Sequence, residues 1–235
     1  MTAQDVVAKI QAVGKDSYKR VILRHGAREP VYGASIEDMK AIVKGIKKDY
    51  ALAKELYATG VYDAMYLAGL VADDGAMSKE DLQTWVEDAY CPALAESTVP
   101  WVAAEGRFGF ELAALWVESP AEMVAAAGWS TYCALVALHP DNELDRGLLT
   151  SLLARVGRSI QSQPDRVRYC MNSFVSCVGT YVVELTDAAM ATAEAMGAVV
   201  VVMEGTACKI RSPKEMIEKV RARGTIGRKR KTVKC

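Results

Sequence analysis

Long hydrophobic runs are missing from this 235-residue chain. No stretch approaches the roughly 20 apolar residues that a spanning helix needs. The opening residues Met1, Thr2, Ala3, Gln4 and Asp5 lack the basic and apolar regions of a secretory leader, so a soluble cytoplasmic protein is expected, with no membrane partner. Histidine is nearly absent: His25 and His139 stand far from any obvious partner, and neither a metal site nor a cofactor is expected. The six cysteines (91, 133, 170, 177, 208 and 235) show no CxxC or other close-ligand spacing, and reduced, mostly buried thiols follow. Phenylalanine is scarce, at three residues. Excess charge of one sign is lacking too, since 29 Lys and Arg balance 29 Asp and Glu. That is not the overall balance of a protein that lives on nucleic acid.

What is present is alanine, leucine and valine in helical periodicity. Apolar residues Val6, Val7, Ile10 and Val13 predict a first helix ending at Gly14, and residues 16–24 a second, basic one. Ser35 opens a helix with an acid three residues later and a buried stripe of Ile36, Met39, Ile42, Val43 and Ile46. Short helices follow at 49–58 and 61–72, and Ser78 caps another. Helices at 108–117 (Leu112, Leu115 and Trp116 inward), 129–138 after a break at Gly128, 143–161 capped by Asp141 or Asn142, 164–183, and 186–196 capped by Thr186 complete a body over residues 1–197. Helical pairs of roughly 35–40 residues without strands predict an all-α helical-repeat solenoid, a compact bundle being the alternative. Residues 198–235 form an extension: β-branched residues 199–203 and a turn at Glu204-Gly205 predict a short β-hairpin near 199–210, Ser212-Pro213 starts a helix over 213–223, and a basic tail ends the chain.

Charge is divided unevenly. Residues 209–235 hold eleven Lys and Arg against Glu215 and Glu218, a net of +9, so residues 1–208 carry −9. The tail either folds back on its acidic body, anchored by Val233 and Cys235, or reaches a polyanion. Exposed ion pairs are worth roughly 0–1 kcal/mol each, whereas a phosphate array adds counterion release, so DNA is the expected partner of Arg228, Lys229, Arg230 and Lys231. Lys40, Lys44, Lys47 and Lys48 share one helical face, and Arg155 and Arg158 another; both stripes are candidate phosphate contacts.

The chemical centre is Thr98-Val99-Pro100-Trp101-Val102-Ala103-Ala104-Glu105. Thr98 suits a helix cap and Pro100 a first turn, which puts Trp101 and Glu105, four apart, on one face. An indole beside a carboxylate is chemistry for a cation, although a core tryptophan and a solvated glutamate would share the spacing.

With these elements in place, the chain resembles the AlkD-like DNA alkylation repair proteins, HEAT-like repeat DNA glycosylases, over about residues 20–190. Tyr32-Gly33-Ala34-Ser35-Ile36-Glu37-Asp38-Met39 is similar to that family's tyrosine-glycine loop entering a helix, and Leu52-Ala53-Lys54-Glu55-Leu56-Tyr57 with 63–68 to its second helical pair. Trp101 and Glu105 fall where the family places a tryptophan and a catalytic aspartate, with glutamate as a departure. Trp129-Ser130-Thr131-Tyr132-Cys133-Ala134 lacks the arginines that hold the DNA backbone, and Phe174 stands near the second active-site tryptophan. The resemblance implies a HEAT-like solenoid, acting as a monomer, that binds alkylated double-stranded DNA and hydrolyses the N-glycosidic bond of cationic N3- or N7-alkylated purines. In that reading Trp101 and Phe174 contact the nucleotide and Glu105 stabilises the cationic sugar. A non-catalytic DNA-structure-binding protein and a protein-interaction scaffold are the alternatives, and the missing arginines and second tryptophan favour the former.

Overall fold

A computed structural model describes residues 1–202 and 210–234, and the only regular structure among them is helical. Helices α1 (Ala3–Val13), α2 (Asp16–Arg24) and α3 (Ile36–Val43) come first. Four pairs follow: α4 (Tyr50–Ala58) with α5 (Tyr62–Val71), α6 (Lys79–Asp88) with α7 (Val99–Glu105), α8 (Gly109–Trp116) with α9 (Glu122–Leu138), and α10 (Arg146–Ser159) with α11 (Asp165–Tyr181). Helices α12 (Thr186–Ala195) and α13 (Pro213–Ala222) close the chain. This is the HEAT-like helical-repeat architecture. No single helix among the described residues is long and apolar enough to cross a membrane.

The pairs stack into two rows. The inner row is α5, α7, α9, α11 and α13, each packed on the next. The outer row is joined by side chains: Tyr57 of α4 stacks on Trp85 of α6 with centroids 4.1 Å apart, Gln83 of α6 accepts from the Trp116 indole of α8 at 2.8 Å, Arg155 of α10 reaches Glu118 just after α8, and α10 packs on α12. Burial differs accordingly. Helix α9 buries residues all round, including Trp129 and Tyr132, as expected of an element covered on both sides.

Several starts are written locally. Thr2, Ser35 and Ser78 each accept from the backbone three residues on while an aspartate there returns the bond, so three capping boxes begin α1, α3 and α6. Other expectations fail for tertiary reasons. Gly128 does not interrupt α9: a Cβ there would lie 2.6 Å from the Val117 nitrogen, so the glycine admits the end of α8 against an unbroken helix. Asp145, not Asp141 or Asn142, caps α10, because residues 141–143 form a separate 3-10 turn. Thr186 lies inside its helix, donating to the Val182 carbonyl, and no side chain caps that end. Leu115 and Ile36 point outward. In the extension, residues 199–202 form no strand, and the rest of the expected hairpin, 203–209, lies outside the described residues.

Two apolar cores fill the rows, one centred on α4–α7 and one on α9–α12, and half-buried Trp101 packs against both. Ile217 of α13 and Val233 of the tail belong to the second core. The extension beyond residue 198 is thus packed into the repeat body.

The segment entering α3 is tied to α5 by one fully buried carboxylate. Asp63 accepts from the backbone nitrogens of Tyr32 at 2.7 Å, Gly33 at 3.1 Å and Ala34 at 2.8 Å. Charge-assisted bonds from buried donors are strong because the donors have no water to fall back on. Asp63→Asn removes the charge and turns an amide NH2 toward those donors, so urea unfolding should show a loss of about 2–3 kcal/mol.

Candidate functional site

Helix α7 does not begin at Thr98. Residues Leu94–Thr98 form one turn of wider π-helix that runs into α7 without a break, with the Val99 nitrogen donating to the Leu94 carbonyl and Thr98 in αR geometry. Pro100 explains it. A proline ring inside a helix collides with the carbonyl four residues back and leaves it without a donor, and widening the preceding turn relieves both. The turn also sets the rotation of the residues that follow. Trp101 and Glu105 emerge on one face of α7, both half-buried, the indole edge-on to Tyr66 with centroids 5.4 Å apart.

Trp101 lines an open cleft of about 280 Å³ on the inner row. Ser130, Cys133 and Ala137 of α9 form its floor, and Tyr169, Ser173, Cys177 and Tyr181 of α11 its far wall. Glu96, in the π-turn, sits at its base with a side chain 9% exposed and is gripped by Arg166, Nε to Oε1 at 2.6 Å and Nη2 to Oε2 at 2.5 Å. Burial pushes the Glu96 carboxyl above its ordinary pKa, and the arginine opposes this. The last wall, Arg230 and Val233, comes from the tail.

That tail is an ordered strap across the carboxyl ends of the inner helices in reverse order. The Gly227 nitrogen donates to the Thr180 carbonyl of α11 at 2.8 Å, and the Arg230 nitrogen to Ala137 of α9 at 2.8 Å. Lys229 donates to the Val136 carbonyl at 2.9 Å and lies 2.8 Å from Asp141, an electrostatic contact off the line of a hydrogen bond. At the end of α7, Glu105 Oε1 accepts from the Val233 nitrogen at 2.8 Å and from the Thr232 hydroxyl. Beyond α5, the Asp74 carboxylate, 1% exposed, takes Lys234 on Oδ1 at 2.5 Å and Lys48 on Oδ2 at 2.6 Å. Burial lowers the Lys234 pKa despite Asp74, whereas the bond to Asp74 raises that of more exposed Lys48. Unpaired carbonyls give a helix carboxyl end partial negative charge, so a basic strap with free N–H groups suits such an edge. Gly227 is required for the first crossing: its φ is +80° and a Cβ would meet Val183 at 2.5 Å.

The structure sorts the remaining candidate residues. Phe174, expected at the site, is instead a fully buried core ring, edge-on to Trp129 and near Tyr132; α11 turns Tyr169 and Tyr181 to the cleft. Arg155 lies on the outer row, donating to the Val117 carbonyl at 3.2 Å and pairing with Glu118; Arg158, exposed on the same helix, is likewise not at the cleft. Lys40, Lys44 and Lys47 are exposed on α3 and the loop after it, and that loop meets the end of α5 through the Asp49 nitrogen on Val71. Lys229 is committed to the body, while Arg228, Arg230 and Lys231 remain exposed on the docked strap. Lys48, read as part of the phosphate-binding stripe, is instead paired with buried Asp74, and Asp74 and Thr232 escaped sequence reasoning because their partners are distant in the chain. Tyr169, Ser173, Cys177 and Tyr181 left a signal, a stripe at four-residue spacing. Cys91, Cys133, Cys170 and Cys177 are free thiols, and no cluster among the described residues has the ligands for a metal ion.

A family model described as DNA alkylation repair enzyme matches residues 6–204. The chain belongs to that family. It is 27% identical over 229 residues to Lmo0209 of Listeria monocytogenes and to Lin0241 of Listeria innocua, matches that cover 95% of this chain and 99% of either relative. A solved structure described as a new family of proteins related to the HEAT-like repeat DNA glycosylases, with affinity for branched DNA structures, superposes on all of both chains with a TM-score of 0.93 and 36% identity. Within this DNA alkylation repair fold, the strap's stability contribution is measurable. Lys234→Met leaves Asp74 with Lys48 alone and should cost about 1–2 kcal/mol, a fall of roughly 2–8 °C in Tm for a chain of this length. An unchanged Tm would mean that the strap's end adds nothing to stability.

Proposed function

We propose that this protein binds DNA, branched DNA in particular, on its inner row of helices, and that with the strap docked it does not excise bases. One observation carries the reading: Glu105, the carboxylate that glycosylase chemistry would use, already accepts two bonds from the chain's own Thr232 and Val233. A carboxylate stabilises a developing cationic sugar only where it can face it, and this one faces the strap. The strap also leaves Arg228, Arg230 and Lys231 exposed beside a cleft whose floor on α9 has no arginine, so the phosphate contacts lie at the edge of the groove. The affinity for branched DNA attributed to the structural relative supports the same partner.

Hydrolysis of N3- or N7-alkylpurine bonds is the second reading. Trp101 and Glu105 on one face beside an open cleft favour it, and it requires the strap to release Glu105.

Gel-shift titration of a fixed four-way junction against a linear duplex of equal length should show tighter binding to the junction. Arg228→Gln, Arg230→Gln and Lys231→Gln together should weaken both and lower the salt slope by up to about three. Release of free 7-methylguanine from alkylated duplex should be absent for the intact chain. Release that appears once deletion of residues 232–235 frees the carboxylate would make the second reading correct, and release by the intact chain would reject the first.

A further inference from the structure

We infer that the cleft among α7, α9, α11 and the strap seats one unpaired nucleobase at a DNA branch point, with Arg230 on the adjoining phosphate; this rests on the branched-DNA reading above. Size comes first. At about 280 Å³ the cleft lies just below the range of small-molecule sites, roughly 300–1,000 Å³, which suits a single heteroaromatic ring system better than a larger ligand. Its walls have matching chemistry. Trp101 on one side and Tyr169 and Tyr181 on the other are half-buried rings held by different helices, and base stacking on such rings tolerates any sequence because every base has a π-face. The floor between them is small side chains, Ser130, Cys133 and Ala137, which leave room for a flat ligand.

Charge orients that ligand. Arg230 is exposed at the rim, where a backbone phosphate would pass, and stands against the Tyr181 hydroxyl. Glu96, which lines the cleft, is a desolvated carboxylate held on both oxygens by Arg166 and contacted by the Cys170 thiol, and a carboxylate has about four acceptor sites in all. A base edge bearing an exocyclic amine fits there. The π-turn that holds Glu96 also aims Trp101, and such turns cluster at functional sites. A paired base would have to leave its stack to enter the cleft, at a cost that an unpaired base at a branch has already met. This separates branched from linear DNA by whether the base is paired.

The test uses the intact chain with 2-aminopurine, which carries such an amine, placed either unpaired at the branch point of a three-way junction or paired within an arm. Stacking on an aromatic ring quenches this fluorophore, so saturating protein should quench the unpaired probe and leave the paired one nearly unchanged. Trp101→Ala should remove the quenching and weaken junction binding roughly 5- to 150-fold, the range expected for loss of one stacked base. Because Trp101 also packs against Tyr66, Trp101→Phe serves as the folded control and should keep most of both signals. Arg230→Gln should weaken junction binding while the quenching at saturation persists. Junction binding by the wild type with no quenching of the unpaired probe would overturn the inference and leave branched-DNA binding standing. No preference for junctions over linear duplex would instead remove the reading on which it rests.

Discussion

Four carboxyl ends of helices, lined up on one edge of the molecule, set the constraint that the rest of the structure answers. Stacked pairs in a solenoid point every inner helix the same way, so their unpaired carbonyls and partial negative charges accumulate along a single edge. The strap meets each in turn: Gly227 at α11, Arg230 and Lys229 at α9, Val233 and Thr232 at α7, Lys234 at the acid beyond α5. Single contacts of this kind are weak, about 0.3–1 kcal/mol for a cation at an exposed helix end. In series on one short segment they share one loss of chain entropy, which is why the segment is ordered.

The same arrangement accounts for the division of charge. A tail of +9 on a body of −9 is compatible with a flexible polycation, and also with a strap that covers a negative edge. Only some of the charge is used in docking. Lys229 and Lys234 turn inward to Asp141 and Asp74, whereas Arg228, Arg230 and Lys231 stay in solvent, so the strap converts an edge of carbonyls into an edge of cations. Folding back and meeting a polyanion are therefore not exclusive for this tail. Some residues of the segment dock it, and others keep their charge in solvent.

Position within the DNA alkylation repair family then depends on what faces the carboxylate at the end of α7. Trp101 and Glu105 share one face of α7, but Glu105 is bonded to the chain itself and Phe174 is sealed between Trp129 and Tyr132. Rings do face the groove from α11, at positions one turn or more away from Phe174. The cleft is thus lined by Trp101, Tyr169, Tyr181 and Arg230, and the strap supplies one of its walls.

Helix content, most helix boundaries and the capping boxes at Thr2, Ser35 and Ser78 were legible in the sequence, because those features depend on residues three or four apart. The Trp101 and Glu105 pair was legible for the same reason. Tertiary structure decided the rest wherever the cause lay far along the chain. Gly128 reads as a helix breaker until α8 is packed against it, Thr98 reads as a cap until Pro100 widens the turn before it, and Phe174 reads as a substitute for an active-site ring until the rotation of α11 buries it. The partners of Glu105 and Asp74 stand about 130 and 160 residues further on, as their contacts with Val233 and Lys234 record. Local periodicity carries information over one or two helical turns, and the electrostatics of an edge exists only once the helices that make it are stacked.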